Sequence, residues 1–392
     1  MAPPRAGRKA LGIDAGQAEL HPRPMPSFAD QISRIPLPYD AESGEDVLRS
    51  LPGLAPAVRE VVAGATGSSP YLRGLALKEA HWLTATLSEG ETDNIVRSEL
   101  AGLKSLTQEA DVRVALRRSK RRIALFAALA DVAGVWDLTN VTAALTDLAD
   151  CAVETALRAA LWPLLDRGKI PGQTLDDVPD AAGMCVVAMG KMGARALNYS
   201  SDIDLICLFD QTRFDTADIP EARSAFVKAT RKMTALLSEP DADGYVFRTD
   251  LRLRPDAAVT PVCLSMAAAE AYYESMGRTW ERAAHIKARV AAGDIAAGEA
   301  YIERLRPFIW RKHLDFAAIQ DAFDMRKSIH DHKRLHSDAL AGRDIKLAPG
   351  GIREIEFFAQ TRQLVAGGRD PALRQPRTIK ALQALTRADW IT

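Results

Sequence analysis

Cysteine is scarce in this sequence: there are four in 392 residues, and no two share a C-x-x-C spacing. Cys151, Cys185, Cys207 and Cys263 lie far apart, so they read as reduced core or near-core residues of a cytosolic protein. Net charge is missing as well, because 51 Lys and Arg balance 51 Asp and Glu. That argues against general nucleic-acid binding, and any phosphate site has to be built from local clusters. No apolar run approaches the length that spans a bilayer. The N-terminal MAPPRAGRKALGIDAG carries basic residues with no apolar segment behind them, which excludes a secretory signal. The expectation is a cytoplasmic protein without a membrane partner.

What is present is the 47% hydrophobic fraction of a globular protein, at a length that implies two or three domains. Residues 1–25, rich in Pro, Arg, Gly and Ala, are expected to be mobile. Residues 26–170 read as a helical packing or docking domain without a catalytic constellation. Leu138, Val141, Leu145, Leu148 and Ala152 fall on one helix face; Pro163 should bend that helix and Gly168 end it. A core is expected over residues 171–265 and a second helical region over 266–392. The chain stops in or just after a helix from Thr378 with no closing signal, which predicts a piece of a longer protein.

The stretch Met184–Asp210 organises the rest. Val186, Val187 and Ala188 read as a buried strand, followed by Gly190-Lys191, a polar loop, and Asp202-Ile203-Asp204-Leu205-Ile206. Residues two apart in a strand share a face, so Asp202 and Asp204 point together while Ile203 and Leu205 enter the core. Two such carboxylates repel unless a cation lies between them, which is the logic of half a divalent-metal site.

A helix is expected from about Pro220 to Ser238, buried along Ala222, Phe226, Ala229, Met233 and Leu237. Asp241 and Asp243 lie among Pro and Gly and read as turn residues. Tyr245–Pro255 then alternates strictly and is predicted as one strand. Phe247, Thr249, Leu251 and Leu253 take one face; Arg248, Asp250, Arg252 and Arg254 take the other. If this strand neighbours the first acidic one, Asp250 becomes a third carboxylate, and arginine forks beside it suit phosphate oxygens.

Further on, Arg278, Arg282, His285 and Arg289 are spaced as one cationic helix face, suited to phosphate or to plain solvent. A helix is expected from about Ala317, with Ile319, Phe323 and Ile329 buried. His330, His332 and His336 at its end do not make a zinc set, since His330 lies off the face of the other two and no Cys joins them. Leu347–Gly351 is a loop and Ile352 begins a helix. Its glycine-led N-terminus can meet an anion, or Glu354 and Glu356 can extend the acidic site.

The succession of strand, Gly-Lys, Asp-x-Asp, helix and strand with a further Asp resembles the nucleotidyltransferase fold of polymerases and small-molecule nucleotidyltransferases. Lys191 departs from the usual Gly-Gly or Gly-Ser. Met189–Gly193 (MGKMG) and Asn198–Ile206 (NYSSDIDLI) sharpen the likeness, together with Arg248–Pro255 (RTDLRLRP), Tyr272–Asp294 and Ile345–Phe358. These segments resemble the bacterial bifunctional glutamine synthetase adenylyltransferase/adenylyl-removing family, over most of the chain from about residue 60.

The resemblance implies an α+β protein: a polymerase-beta-like core with a small mixed sheet, flanked by helical regions. It implies Mg²⁺ held by catalytic Asp202, Asp204 and Asp250. Gly190, Lys191, Ser200 and Ser201 would contact phosphates, and Arg252 and Arg254 would take incoming orthophosphate. Arg278, Arg282 and Arg289 follow as further nucleotide- or phosphate-binding candidates, and Glu354 and Glu356 as candidates to extend the acidic site. The family has two related halves, and the flanks here look like the half that removes AMP from a glutamine synthetase tyrosine by phosphorolysis, giving ADP. The implied partners are adenylylated glutamine synthetase and a PII-type signal protein. Two alternatives stay open: ATP-dependent adenylylation by the same acids, and a regulatory docking module with an inactive core.

Overall fold

Two apolar runs, β1 (Met184–Ala188) and β2 (Ile203–Phe209), pair antiparallel with Val186 opposite Cys207. Alternation along them sorts side chains into two cores. Met184, Val186 and Ala188 join Ile203, Leu205, Cys207 and Phe209 in the larger one. Cys185 and Val187 join Ile206 and Leu208 in the second. Both faces are covered, which is why the runs read as nearly continuous hydrophobic sequence. The four cysteines are free; three are buried and Cys151 is half-buried.

This computed structural model describes residues 27–89, 92, 94–311, 342 and 344–392. The expectations for residues 1–25 and for the helix and histidines between Ala317 and His336 fall outside the described residues.

The sheet runs in the order β3-β2-β1-β5, with β4 (Cys263–Ser265) also on β2. β3 (Thr249–Asp250) and β4 both pair parallel to β2, one after the other along the edge opposite β1. The predicted strand Tyr245–Pro255 is thereby corrected to two residues. After Asp250 the chain must leave the edge so that Cys263 can pair with Cys207. β5 (Arg289–Gly293) pairs antiparallel with β1, its register shifted between Val186 and Val187. It lies beyond residue 265, in sequence expected to be helical, so the sheet extends past the predicted core boundary.

Helices α1 (Phe28–Gln31), α2 (Ala41–Arg49), α3 (Pro56–Ser68), α4 (Pro70–Lys78), α5 (Ala80–Glu89) and α6 (Ile95–Ala101) gather around α7 (Glu109–Val132) and α8 (Leu138–Asp166). Asp137 caps α8, which continues through Pro163; Gly168, at φ +59°, follows its C-cap. Val141, Leu145, Leu148 and Ala152 are buried as expected, whereas Leu138 is exposed at the first turn. α8 packs on α7, on α10 (Ile219–Ser238) and on β5, so helices and sheet share one core. All five residues of the expected α10 stripe are buried.

One turn of helix, α9 (Gly190–Gly193), follows β1. The second core is closed by α11 (Met266–Ser275), α12 (Thr279–His285), α13 (Ile295–Arg304) and α14 (Arg306–Ile309). α15 (Ile352–Ala366) packs on α12 and on α16 (Thr378–Arg387). Among the described residues no helix is long and apolar enough to cross a membrane.

Candidate active site

The parallel pairing of β3 with β2 sets Asp250 opposite Asp204. Ile203 and Leu205 are buried in the larger core, so Asp204 projects from the other face and meets Asp250 there. Asp204 is half-buried. Burial, and then the charges of Asp250 and Asp202, push its carboxyl above the ordinary aspartate value. Asp250 goes the other way: side-chain hydrogen bonds from Arg252 hold it below that value. Arg252 donates from Nε at 2.9–3.0 Å and from its backbone N–H at 2.8 Å. Asp202, one residue before β2, is exposed and accepts from Arg248 Nε at 2.5 Å. Arg248 also donates to the Ser200 carbonyl at 2.6 Å and to Tyr245 Oη at 2.7 Å.

Gly190 ends the approach from β1 beside this pair. Its φ is +56°, and a Cβ there would lie 2.6 Å from Asp204 Oδ2. Both the conformation and the close approach demand glycine. α8 fixes the following loop: Arg289 reaches Asp150 at 2.8 Å and the Met192 carbonyl at 3.2 Å. Arg195 pairs with Asp147 at 2.5 Å, and Leu197 N–H donates to Thr146 Oγ1 at 3.3 Å.

The carboxylate pair opens on a cavity of about 480 Å³, within the size range of small-molecule sites. Gly190, Asp204, Asp250 and Arg252 line one end. Trp280, Ala283, Ala284 and Lys287 come from α12 and its C-terminal end, and Arg353, Glu354, Phe357 and Gln360 come from α15. Lys287 Nζ and Glu356 Oε1, 2.9 Å apart, tie the two helical walls together.

The expected residues divide accordingly. Asp204, Asp250, Gly190, Arg252, Glu354 and Glu356 line the cavity; Lys191, Ser200, Ser201 and Asp202 are not among its lining. Arg254, expected at incoming orthophosphate, braces a loop in this structure. Its guanidinium donates to the carbonyls of Leu251, Ala257 and Thr260, holding the excursion between β3 and β4. The expected cationic face is also corrected. α12 ends at His285, and Arg289 opens β5 on Asp150. Arg278 is the exposed N-cap, while Arg282 is buried against the Phe308 ring. Glu356 is committed to Lys287, and Glu354 accepts from Gly350 N–H.

Among the described residues no three His, Cys, Asp or Glu side chains are gathered tightly enough to hold a metal ion. Asp202 pairs with Arg248, and Asp250 with Arg252. The donors are nonetheless all hard oxygens; the carboxyl of Asp204 is raised first by burial and then by the charges of Asp250 and Asp202, and a divalent cation would offset the latter. Trp280, Lys287, Phe357 and Gln360 were not foreseen. The signal for the first two was present: Trp280, Ala283, Ala284 and Lys287 stand at i, i+3, i+4 and i+7.

A family model described as glutamate-ammonia ligase adenylyltransferase matches residues 59–304. One described as GlnD PII-uridylyltransferase matches residues 323–392. Three relatives, each named bifunctional glutamine synthetase adenylyltransferase/adenylyl-removing enzyme, align over most of the chain. The one from Xanthobacter autotrophicus is 45% identical, covering 96% of this chain and 40% of its own length. One from a Bradyrhizobium species is 48% identical, covering 85% and 34%. One from Rhodopseudomonas palustris is 44% identical, covering 93% and 37%. The chain thus spans two fifths or less of these relatives. With its first family match running through the acidic strands, the Gly190 turn and α12, the chain belongs to the glutamate-ammonia ligase adenylyltransferase family.

Proposed function

We propose that this chain is an adenylyl-removing nucleotidyltransferase unit, taking AMP off a tyrosine of glutamine synthetase by phosphorolysis. The observation that carries the reading is the carboxylate pair, Asp204 opposite Asp250, opening beside Gly190 onto a nucleotide-sized cavity. In the reaction an orthophosphate oxygen forms a bond to the α-phosphorus. The bond from that phosphorus to the tyrosyl oxygen breaks, and the tyrosyl oxygen takes the proton that orthophosphate gives up. The products are ADP and unmodified glutamine synthetase.

Asp204 and Asp250, joined by Asp202 on leaving Arg248, would hold Mg²⁺, which when bound supplies the positive charge that lets two anions meet. Arg252 is exposed, lines the cavity and pairs with Asp250, so its guanidinium is placed to take an incoming orthophosphate. Gly190, having no Cβ, lets the backbone turn pass directly against the Asp204 carboxylate that would hold the metal. The PII-uridylyltransferase-like match in the C-terminal part supports a PII-type signal protein as regulator.

The test incubates the chain with adenylylated glutamine synthetase, orthophosphate and Mg²⁺, and follows ADP. ADP formation that requires both phosphate and Mg²⁺, and is lost in Asp204→Asn, supports the reading. AMP transfer from ATP onto unmodified glutamine synthetase instead would assign the chain to adenylylation.

A further inference from the structure

We propose that the α12–α15 end of the cavity is the subsite for the adenine base, with Trp280 as its stacking surface and Gln360 reading its edge. The inference rests on the nucleotidyltransferase reading and extends it to the part of the substrate that does not react. The cavity combines carboxylates at the sheet edge with an aromatic side chain on α12. Asp204, Asp250 and Arg252 make one end ionic, fit for the phosphates and their counter-ion.

On the α12–α15 side the cavity is lined by Trp280, whose indole is only partly buried, with Ala283, Ala284 and Phe357, beside the charged Lys287, Arg353, Glu354 and Glu356. The partly exposed indole of Trp280 inside the cavity is aromatic surface that a flat ligand can cover. A nucleotide has the matching division, an anionic tail on a flat aromatic head. Gln360 adds the polar group that such a wall needs. Its amide offers one acceptor and one donor side by side, the complement of the adjacent N6–H₂ and ring nitrogen of adenine.

The wall is also composite. Trp280 comes from the segment matched by the adenylyltransferase model, and Phe357 and Gln360 from the segment matched by the uridylyltransferase one. The Lys287–Glu356 pair holds the two parts together at the cavity itself.

Calorimetric titration of the 392-residue chain in Mg²⁺ with ADP, and separately with inorganic pyrophosphate as a baseless probe, tests the assignment. Trp280→Ala should weaken ADP about tenfold, the size of one base–aromatic stack, and leave pyrophosphate unchanged. Trp280→Phe should restore most of the loss, and Gln360→Leu should weaken ADP alone. ADP binding unchanged in Trp280→Ala overturns the subsite while leaving the phosphate end, and the proposed reaction, standing. Loss of both probes in Trp280→Ala overturns it too, because the indole would then be supporting the fold. A wild-type chain that binds neither probe defeats the nucleotidyltransferase reading together with the subsite.

Discussion

Gly190 and Asp204 show how tightly single residues are constrained here. Gly190→Ala places a methyl 2.6 Å from Asp204 Oδ2 at a φ of +56°. The backbone strain alone costs about 1–3 kcal/mol, and relief by moving the carboxylate dismantles the pair with Asp250. The expected outcome is a chain with a lower urea midpoint and almost no ADP formation; wild-type turnover would show that the turn can yield. His285 makes a different kind of prediction. It is fully buried, its Nδ1 2.7 Å from the Glu281 carbonyl and its ring against Tyr273, and burial pushes its pKa down to about 4. The unfolded chain takes up that proton near pH 6.5, so between pH 6.5 and 4 it binds more protons than the folded one. Stability therefore falls as the pH drops through that window, by up to about 1.4 kcal/mol per unit. Denaturation midpoints measured across it should slope in the wild type and flatten in His285→Phe. At this scale the direction of Asp204 was legible, because a period of two and a buried Ile203 fix where it points. Arg248 and Arg254 were not: which oxygen an arginine finds depends on where a loop brings its carbonyls.

At the scale of elements, α7 holds the segment that delivers β3. Arg117 is 1% exposed; it donates to the carbonyls of Glu239 at 2.6 Å, Gly244 at 2.8 Å and Leu236 at 3.4 Å, and pairs with Asp241 at 2.8 Å. It thereby satisfies carbonyls left open where α10 ends. One turn on, Lys120 donates to the Val246 carbonyl at 2.8 Å and sits 4.3 Å over the Phe247 ring. Arg117→Met leaves those carbonyls and Asp241 without their partner and should cost about 3 kcal/mol, seen as a lower urea midpoint. Asp241→Asn, at the exposed end of the contact, should cost well under 1 kcal/mol. Equal losses would mean that the ion pair, rather than the carbonyl brace, carries the effect. Sequence periodicity found α10 and its stripe correctly, because a helix face is set within the helix. It overextended β3, because strict alternation from Tyr245 to Pro255 cannot register that β4 claims the rest of the same edge. It also missed β5, whose place on β1 depends on a partner a hundred residues earlier.

Across the whole molecule the cavity is closed where α15 lies over α12, and among the described residues the Lys287–Glu356 ion pair marks that contact. Lys287 is 9% exposed and Glu356 28%, with Nζ and Oε1 2.9 Å apart. No pattern within either helix announces this pairing, which is why Glu356 read as a possible extension of the acidic site. Glu356→Gln strands a buried ammonium. Full burial would make this a loss of 3–5 kcal/mol, and the partial exposure of Glu356 reduces the expectation to about 2 kcal/mol. That loss falls on the α12–α15 contact rather than on the sheet. Limited proteolysis should therefore cut faster in the 344–351 loop, and ADP affinity should drop because Phe357 and Gln360 move with α15. Replacing both partners, Lys287→Met with Glu356→Leu, removes the stranded charge and refills the contact with apolar volume. The double variant should regain protease resistance and most of its ADP affinity. Failure of the double variant to recover affinity while it recovers resistance would give Lys287 or Glu356 a direct part in holding the nucleotide.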